Sequence, residues 1–318
     1  MKIVFLDRLT LASHIKLARP SFEHNWQEFP STMPSQVLER CQDASIIIVN
    51  KVPLDKAVLT QLPQLKMIAV AATGTNNVDL AAATELGIVV SNIRNYAAQS
   101  IAEHSLALMF NLRRNLLAYH QAIQQGRWQQ AKQFCFFDFP IDNLAKQTLA
   151  IIGGGNLGQA TAQLASKIGM NVLFSEHKGQ TPRSGKIAFE EAIRSADVIS
   201  IHCPLNSQTK DLIAEKEFAM MKKTALLINT ARGGIVNEQA LLHALQNKQI
   251  AGAASDVSEC EPPAEDSPLM QALSLNNLIV TPHVGWASSQ NMQVLADQLI
   301  ENIEAFITGE PRHQVSAN

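Results

Sequence analysis

At 318 residues the chain is long enough for two domains, each with a sizeable buried core. Hydrophobic residues make up 46% and charged residues 17%, with a formal net charge of −2 and no long run of one sign. That leaves no basic footprint for nucleic acid or for an anionic membrane surface. No stretch approaches the roughly 18 uninterrupted apolar residues of a spanning helix, so no membrane partner is expected. The opening MKIVFLDRLT has no small-residue cleavage site and reads as a first strand rather than a leader. Cys41, Cys135, Cys203 and Cys260 form no C-x-x-C pair, which points to reduced thiols in the cytoplasm and to no metal site.

Short apolar runs then alternate with amphipathic segments. The predicted strands are Ile3–Leu6, Ile46–Val49, Met67–Val70, Val89–Val90, Leu149–Ile152, Val172–Phe174, Val198–Ile201, Ala225–Ile228, Ala251–Ala254 and Leu278–Val280. Several are apolar on successive residues, as in a parallel sheet covered on both faces, and helical patterns between them give βαβ units. A long helix is predicted from about Ala98 to Gln125, stopped by Gly126. A last one begins near Ser288, carries Leu295, Leu299, Ile303 and Phe306 on one face, and ends at Gly309. The expected division is a discontinuous first domain, 1–98 with 288–318, and a nucleotide domain inserted at 99–287, with the ligand in the cleft between them.

The clearest motif is Leu149-Ala-Ile-Ile-Gly-Gly-Gly-Asn-Leu-Gly158. Gly153, Gly155 and Gly158 satisfy G-x-G-x-x-G between a strand and a helix. The first glycine allows the tight turn, the second a close backbone approach to pyrophosphate, and the third tight helix–strand packing. The turn and the helix start, including Asn156 and Leu157, would then face a dinucleotide with free N–H groups. Glu176, at the end of the next strand, stands where a ribose-binding carboxylate belongs and favours NAD. His177, Lys178 and Arg183 follow closely and could serve the 2′-phosphate of NADP instead. Pro204, after the strand Val198–Ile201, suggests a loop along the nicotinamide pocket, to which Thr209 is added; His202 there reads as structural.

Three later segments each place a functional side chain just past an apolar strand. Ala231 and Arg232 follow one, Asp256 and Glu261 the next, and His283 the last. In an open α/β sheet these ends border one cleft. Reduction of a 2-oxo acid needs a planar cation for the substrate carboxylate and carbonyl, which arginine supplies. It also needs an acid near neutrality for the carbonyl oxygen, which His283 supplies. Glu261 would hold the imidazole ring and stabilise its charged form. Asp256 is expected on the nicotinamide side.

On Gly153–Gly158, Asn229-Thr-Ala-Arg-Gly233, Asp256…Glu261-Pro262 and Thr281-Pro-His283, the chain resembles the D-2-hydroxyacid dehydrogenase family over essentially its whole length. The resemblance implies two Rossmann-like, doubly wound α/β domains: a flavodoxin-like, discontinuous substrate domain and an inserted NAD(P)-binding domain. It implies an Arg232 substrate clamp, a Glu261–His283 acid/base pair, and a homodimer. Ala69-Val-Ala-Ala-Thr-Gly-Thr-Asn-Asn-Val-Asp79 is similar to the segment whose amides grip the substrate carboxylate, which maps to Thr73 and Gly74. Asn50-Lys51-Val-Pro53, Trp128…Phe134-Cys-Phe-Phe-Asp138 and Val284-Gly-Trp286 look most like the glycerate dehydrogenase (hydroxypyruvate reductase) branch. Trp128 or Phe136 would be the aromatic residue that reaches a partner subunit's site or packs in the dimer core. Glu176 departs from the commoner Asp, and Arg94-Asn95 stands where the family often has proline. D-lactate and D-3-phosphoglycerate dehydrogenase remain as alternatives, as does an NAD-sensing, co-repressor-like binding protein.

Overall fold

The computed structural model describes residues 1–317. Its contacts gather into two compact units, Met1–Tyr96 with Ala287–Asn318, and Ala97–Trp286. Each is built on one wholly parallel sheet.

In the first unit the strands are β1 Lys2–Phe5, β2 Asn25–Glu28, β3 Ile46–Val49, β4 Met67–Val70 and β5 Val89–Ser91, in the order β2-β1-β3-β4-β5. That is the flavodoxin-like winding, with its reversal between β1 and β3. Ile46–Val49 and Met67–Val70 are buried at every position, as the continuous apolar runs require when helices cover both faces. Val4, Leu6, Ile47, Val49, Ile68 and Val70 share one core. The helix Ser289–Ile307 packs on β4 with Leu295, Leu299 and Ile303 buried. Ser288 caps its start by accepting the Asn291 amide.

β2 is not among the predicted strands. Asn25-Trp-Gln-Glu28 is polar, is mostly exposed and pairs on one side only, with β1. An edge strand of this kind carries no apolar run by which periodicity could find it.

In the second unit the strands are β6 Thr148–Ile152, β7 Asn171–Ser175, β8 Val198–Ile201, β9 Leu226–Asn229, β10 Gly252–Ser255 and β11 Leu278–Val280. Their order is β11-β10-β9-β8-β6-β7, the same winding extended by one strand, with the reversal between β6 and β8. The alternation of a pleated strand is visible in β6. Ala150 and Ile152 join one core, and Leu149 and Ile151 the opposite one. Burial of Val, Leu and Ile at roughly 25 cal/mol per Å² of apolar surface dominates both cores.

The long helix expected over Ala98–Gln125 is two helices, Ala98–Arg114 and Leu116–Gln124. Asn115 between them is left-handed, φ 51°, and its side-chain amide donates to the Pro140 carbonyl at 2.7 Å. An asparagine tolerates that backbone and bonds locally, so it ends one helix and starts the next without disturbing the apolar pattern.

Candidate active site

The candidate cofactor and catalytic residues of the second unit lie on the segments that follow the carboxyl ends of its strands. The glycine turn follows β6 at the sheet's reversal point. Gly153 has φ +103°, and a Cβ there would lie 2.6 Å from the His202 and Cys203 backbone at the end of β8. At Gly158 a Cβ would sit 2.1 Å from the Gly153 carbonyl oxygen and 3.0 Å from the Ile151 side chain. At Gly155 it would meet nothing within 4 Å. The first and third glycines are therefore demanded by the fold, and the second only by something that approaches from outside. Gly155 is also the N-cap of the helix Asn156–Lys167 and has no side chain to cover the helix start. This cradle fits a dinucleotide pyrophosphate.

The surrounding candidates are placed as follows. His202 donates its amide to Ile152 and bonds Ser200 Oγ through Nε2 at 2.9 Å. Its Nδ1 is buried with no partner among the described residues. Burial pushes its pKa down to about 4, so the ring is neutral at physiological pH. Thr209 Oγ1 donates to the Pro204 carbonyl at 2.6 Å, drawing the two together in an exposed loop. Glu176 follows β7, but its carboxylate is taken up by Arg183 and Lys186.

The chemical segments follow three adjacent strands, β9, β10 and β11. After β9, Asn229 Oδ1 accepts the Ala231 amide and its Nδ2 donates to the Arg232 carbonyl, which shapes the turn. Arg232 itself is exposed, with Nη1 donating to the Ala231 carbonyl at 2.7 Å. The chain beside it is packed on the neighbouring loop, since a Cβ at Gly233 would fall 1.9 Å from the Ser258 carbonyl oxygen.

After β10 and β11 the expected pair forms. Glu261 Oε2 lies 2.7 Å from His283 Nδ1, and Glu261 Oε1 accepts the Ser258 amide. With Nδ1 engaged, Nε2 is the ring nitrogen left to exchange a proton with a substrate oxygen. His283 has φ 55°, a left-handed conformation that costs a non-glycine residue about 1 kcal/mol or more. It is held there by Trp286 Nε1, which donates to its carbonyl, and above all by Asp256. Asp256 is 2% exposed, and its carboxylate accepts from Thr281 Oγ1 at 2.6 Å, Val284 N at 2.9 Å and Gly285 N at 2.8 Å. His104 Nε2 stands 3.5 Å away. Asp256, expected on the nicotinamide side, therefore also anchors the loop that presents His283.

Two organising residues escaped the sequence reading. Glu238, at the start of the helix Glu238–Gln246, accepts from Ser258 Oγ and the Glu259 amide, fixing the segment that leads to Glu261. In sequence it looks like an ordinary acid in a helix's first turn. In the first unit the buried Asp7 carboxylate accepts the amides of Asn50, Lys51 and Val52 and fixes the loop after β3. Thr73 in that unit donates its hydroxyl to Ile93 O and accepts from Asn92 Nδ2, so the turn with Gly74 is pinned from two sides.

The family described as “D-isomer specific 2-hydroxyacid dehydrogenase, NAD binding domain” matches residues 106–285. This chain belongs to that family. It is an NAD(P)-dependent oxidoreductase acting on the CH–OH group of 2-hydroxy acids. It is 48% identical to the glycerate dehydrogenase of Methylorubrum extorquens over 317 residues, 99% of either chain. It is 33% identical over 285 residues to the hydroxypyruvate reductase of Blautia hydrogenotrophica, 88% of either chain. The structure of the NADPH-dependent glyoxylate/hydroxypyruvate reductase of Sinorhizobium meliloti overlays it with a TM-score of 0.80 at 25% identity, covering 99% of this chain and 97% of that one. Among the described residues no helix is long and apolar enough to cross a membrane.

The anchoring role of Asp256 in this dehydrogenase is open to a direct measurement. Burial pushes its carboxyl up, but the bonds from His104, Thr281, Gly285 and Val284 outweigh it and leave the pKa below the ordinary 3.8. A carboxyl whose pKa falls on folding stabilises above its unfolded value and loses that contribution as pH drops through the folded one. Asp256→Asn is expected to cost about 1–3 kcal/mol at neutral pH, because an amide cannot accept from all these donors. The melting-temperature gap to wild type should narrow below about pH 4. A gap that stays constant into acid would mean that the charge of Asp256 does not hold the loop.

Proposed function

We propose that this enzyme reduces hydroxypyruvate to D-glycerate, with glyoxylate as its second substrate. The observation that carries the reading is the Glu261–His283 pair, joined at 2.7 Å beyond adjacent strand ends in the same unit as the glycine cradle. The choice of acid is supported by the glycerate dehydrogenase relative at 48% identity over nearly the full chain.

In this reading Gly153, Gly155, Asn156, Leu157 and Gly158 take the pyrophosphate, and Pro204, Thr209, Ala231 and Asp256 border the nicotinamide end. A bound nicotinamide supplies or receives the hydride. Arg232 swings its planar fork onto the carboxylate and carbonyl of the 2-oxo acid, a geometry a lysine does not reproduce. The Thr73 and Gly74 amides add donors to the carboxylate. His283 Nε2 delivers a proton to the carbonyl oxygen as it becomes a hydroxyl, and Glu261 balances the charge on the ring.

The chain works as a homodimer in the cytoplasm. Phe134 and Phe137 are 87% and 80% exposed, and Leu116, Leu117 and Trp128 stand exposed on the same stretch of the second unit. A second copy is the partner that covers them. Phe136, by contrast, is buried against Tyr119 and is not available to reach a partner's site, which leaves Trp128 for that role.

Initial rates on hydroxypyruvate, glyoxylate, pyruvate and 3-phosphohydroxypyruvate, each with NADH and NADPH, test the proposal. Hydroxypyruvate should show the highest kcat/KM and glyoxylate the next. A lead for pyruvate or the phosphorylated acid would overturn the substrate assignment. Nucleotide binding without turnover on any of the four would mark a sensor rather than an enzyme.

A further inference from the structure

The turn assigned to the substrate carboxylate is aimed from behind. In a trans peptide the C=O and the N–H point in opposite directions, so a bond to the oxygen also sets where the hydrogen points. The Ala72 carbonyl, which shares its peptide with the Thr73 amide, accepts the Ile93 amide at 3.0 Å. The Thr73 carbonyl, which shares its peptide with the Gly74 amide, accepts Asn92 Nδ2 at 2.7 Å. Both amides of the turn are therefore directed by residues just past β5. A bond to the carbonyl also polarises the peptide and makes its N–H a better donor.

Asn92 is in turn held by the end of the chain. It is 7% exposed, and each of its hydrogen-bonding groups is engaged. Besides Nδ2, its amide donates to His313 O at 3.1 Å, its carbonyl accepts Asn302 Nδ2 at 2.9 Å, and its Oδ1 accepts Arg94 Nε at 3.2 Å. Flipping such an amide would leave buried donors and acceptors unpaired, so it has one orientation. Arg94 Nη2 donates to Gln314 O at 2.8 Å, so one guanidinium clasps Asn92 and the C-terminal segment together. That segment lies along the outer edge of β5. Ser91 pairs with Gln314 as an antiparallel bridge, and the Val315 amide donates to Val90 O at 2.9 Å.

Covering a sheet edge needs backbone bonds only. The side chains of Asn92 and Arg94 add bonds that lead away from the ladder and end at the Thr73 carbonyl. We propose that Asn92, clasped by Arg94 to the C-terminal segment 312–315, is a positioning residue that aims the Thr73 and Gly74 amides at the substrate carboxylate. The tail thereby sets the affinity for the 2-oxo acid without touching it. This rests on the reading that those two amides hold the carboxylate, but not on which 2-oxo acid is reduced.

Steady-state rates of purified variants test it, on whichever 2-oxo acid the wild type reduces fastest, with NADH affinity titrated separately. Asn92→Leu keeps the side-chain volume but neither donates nor accepts. It should raise KM by roughly tenfold or more and leave kcat within about threefold, because a grip on the carboxylate acts on substrate and transition state alike. NADH affinity should stay within about threefold of wild type. Arg94→Lys should raise KM nearly as far as Arg94→Gln, by roughly threefold or more, since the planar fork is lost and not only the charge. Val315→Pro deletes the amide given to Val90 and should raise KM by roughly threefold or more as well.

A wild-type KM in Asn92→Leu or Val315→Pro, each folded by circular dichroism, overturns the proposal. So does a fall in kcat or in NADH affinity as large as the rise in KM, which would mean general loosening instead of lost aim. Arg94 is exposed, so its two variants decide the matter even if Asn92→Leu does not fold. An Arg94→Lys protein that matches wild type while Arg94→Gln does not would mean that charge alone acts there. Gly74→Pro deletes one of the two amides and separates the two levels. If it leaves KM unchanged, the carboxylate assignment fails and the role of Asn92 with it. If it raises KM while Asn92→Leu and Arg94→Lys do not, only the role of Asn92 and the tail fails.

Discussion

His283→Gln is expected to lower kcat by roughly 10²- to 10⁴-fold, the range over which a positioned acid or base contributes. Glutamine retains a side-chain N–H that can bond Glu261 Oε2, which His283 Nδ1 meets at 2.7 Å, but it carries no proton to give away. Geometry is largely kept and chemistry is lost. Glu261→Gln should fall less far, because Glu261 steadies the ring and does not itself deliver the proton. The double variant should be little worse than His283→Gln alone, since the two residues act as one unit. NADH affinity should change by less than about threefold in each, because neither side chain belongs to the glycine cradle. Steady-state rates followed by NADH absorbance, with direct cofactor titration beside them, give all of these quantities. If His283→Gln keeps more than about a tenth of the wild-type kcat, the proton comes from elsewhere.

This pair was legible in the sequence for a physical reason. Parallel strands buried on both faces announce themselves as apolar runs, and their carboxyl ends must then border a common edge. Glu261 and His283 lie 22 residues apart, on the loops after β10 and β11, which pair as neighbours in register. What could not be read is whatever depends on a loop folding back on itself. Asp256 is visible as an acid past β10, but that it receives the Val284 and Gly285 amides is decided by the path of a loop held at a left-handed histidine. Glu238 reaches Ser258 across 20 residues that contain a helix and a strand, and no periodicity encodes such a meeting. Glu176 shows the opposite failure. Its position at the end of β7 was read correctly, yet Arg183, seven residues on, occupies the oxygens on which the expected role depended. The fold misses follow the same logic, because the strand Asn25–Glu28 and the break at Asn115 rest on edge pairing and on one backbone torsion, neither of which alters an apolar pattern.

Gly155→Ala and Gly158→Ala are expected to fail in opposite ways, which separates a glycine kept for a ligand from one kept for the fold. At Gly155 the backbone is extended, φ −73° and ψ −171°, and a Cβ meets nothing within 4 Å. Alanine there forfeits a few tenths to about 1 kcal/mol as an N-cap. It recovers about 0.4–1 kcal/mol by restricting the unfolded chain. The two nearly cancel, so the melting temperature should stay within a few degrees of wild type, about what 1 kcal/mol shifts in a chain of this size. The methyl group instead projects where the pyrophosphate must approach, and NADH should bind at least about tenfold more weakly. At Gly158 the Cβ would lie 2.1 Å from a backbone carbonyl oxygen, and that neighbour is the turn itself, not a side chain that can swing away. Relief requires the helix Asn156–Lys167 to move off β6, at a cost of about 1–3 kcal/mol or more from overpacking alone. Gly158→Ala should therefore lower the melting temperature as well as the affinity. Should Gly155→Ala bind NADH as tightly as the wild type, the open space above that residue is not where the cofactor's phosphates sit, and the pyrophosphate must be sought away from the end of β6.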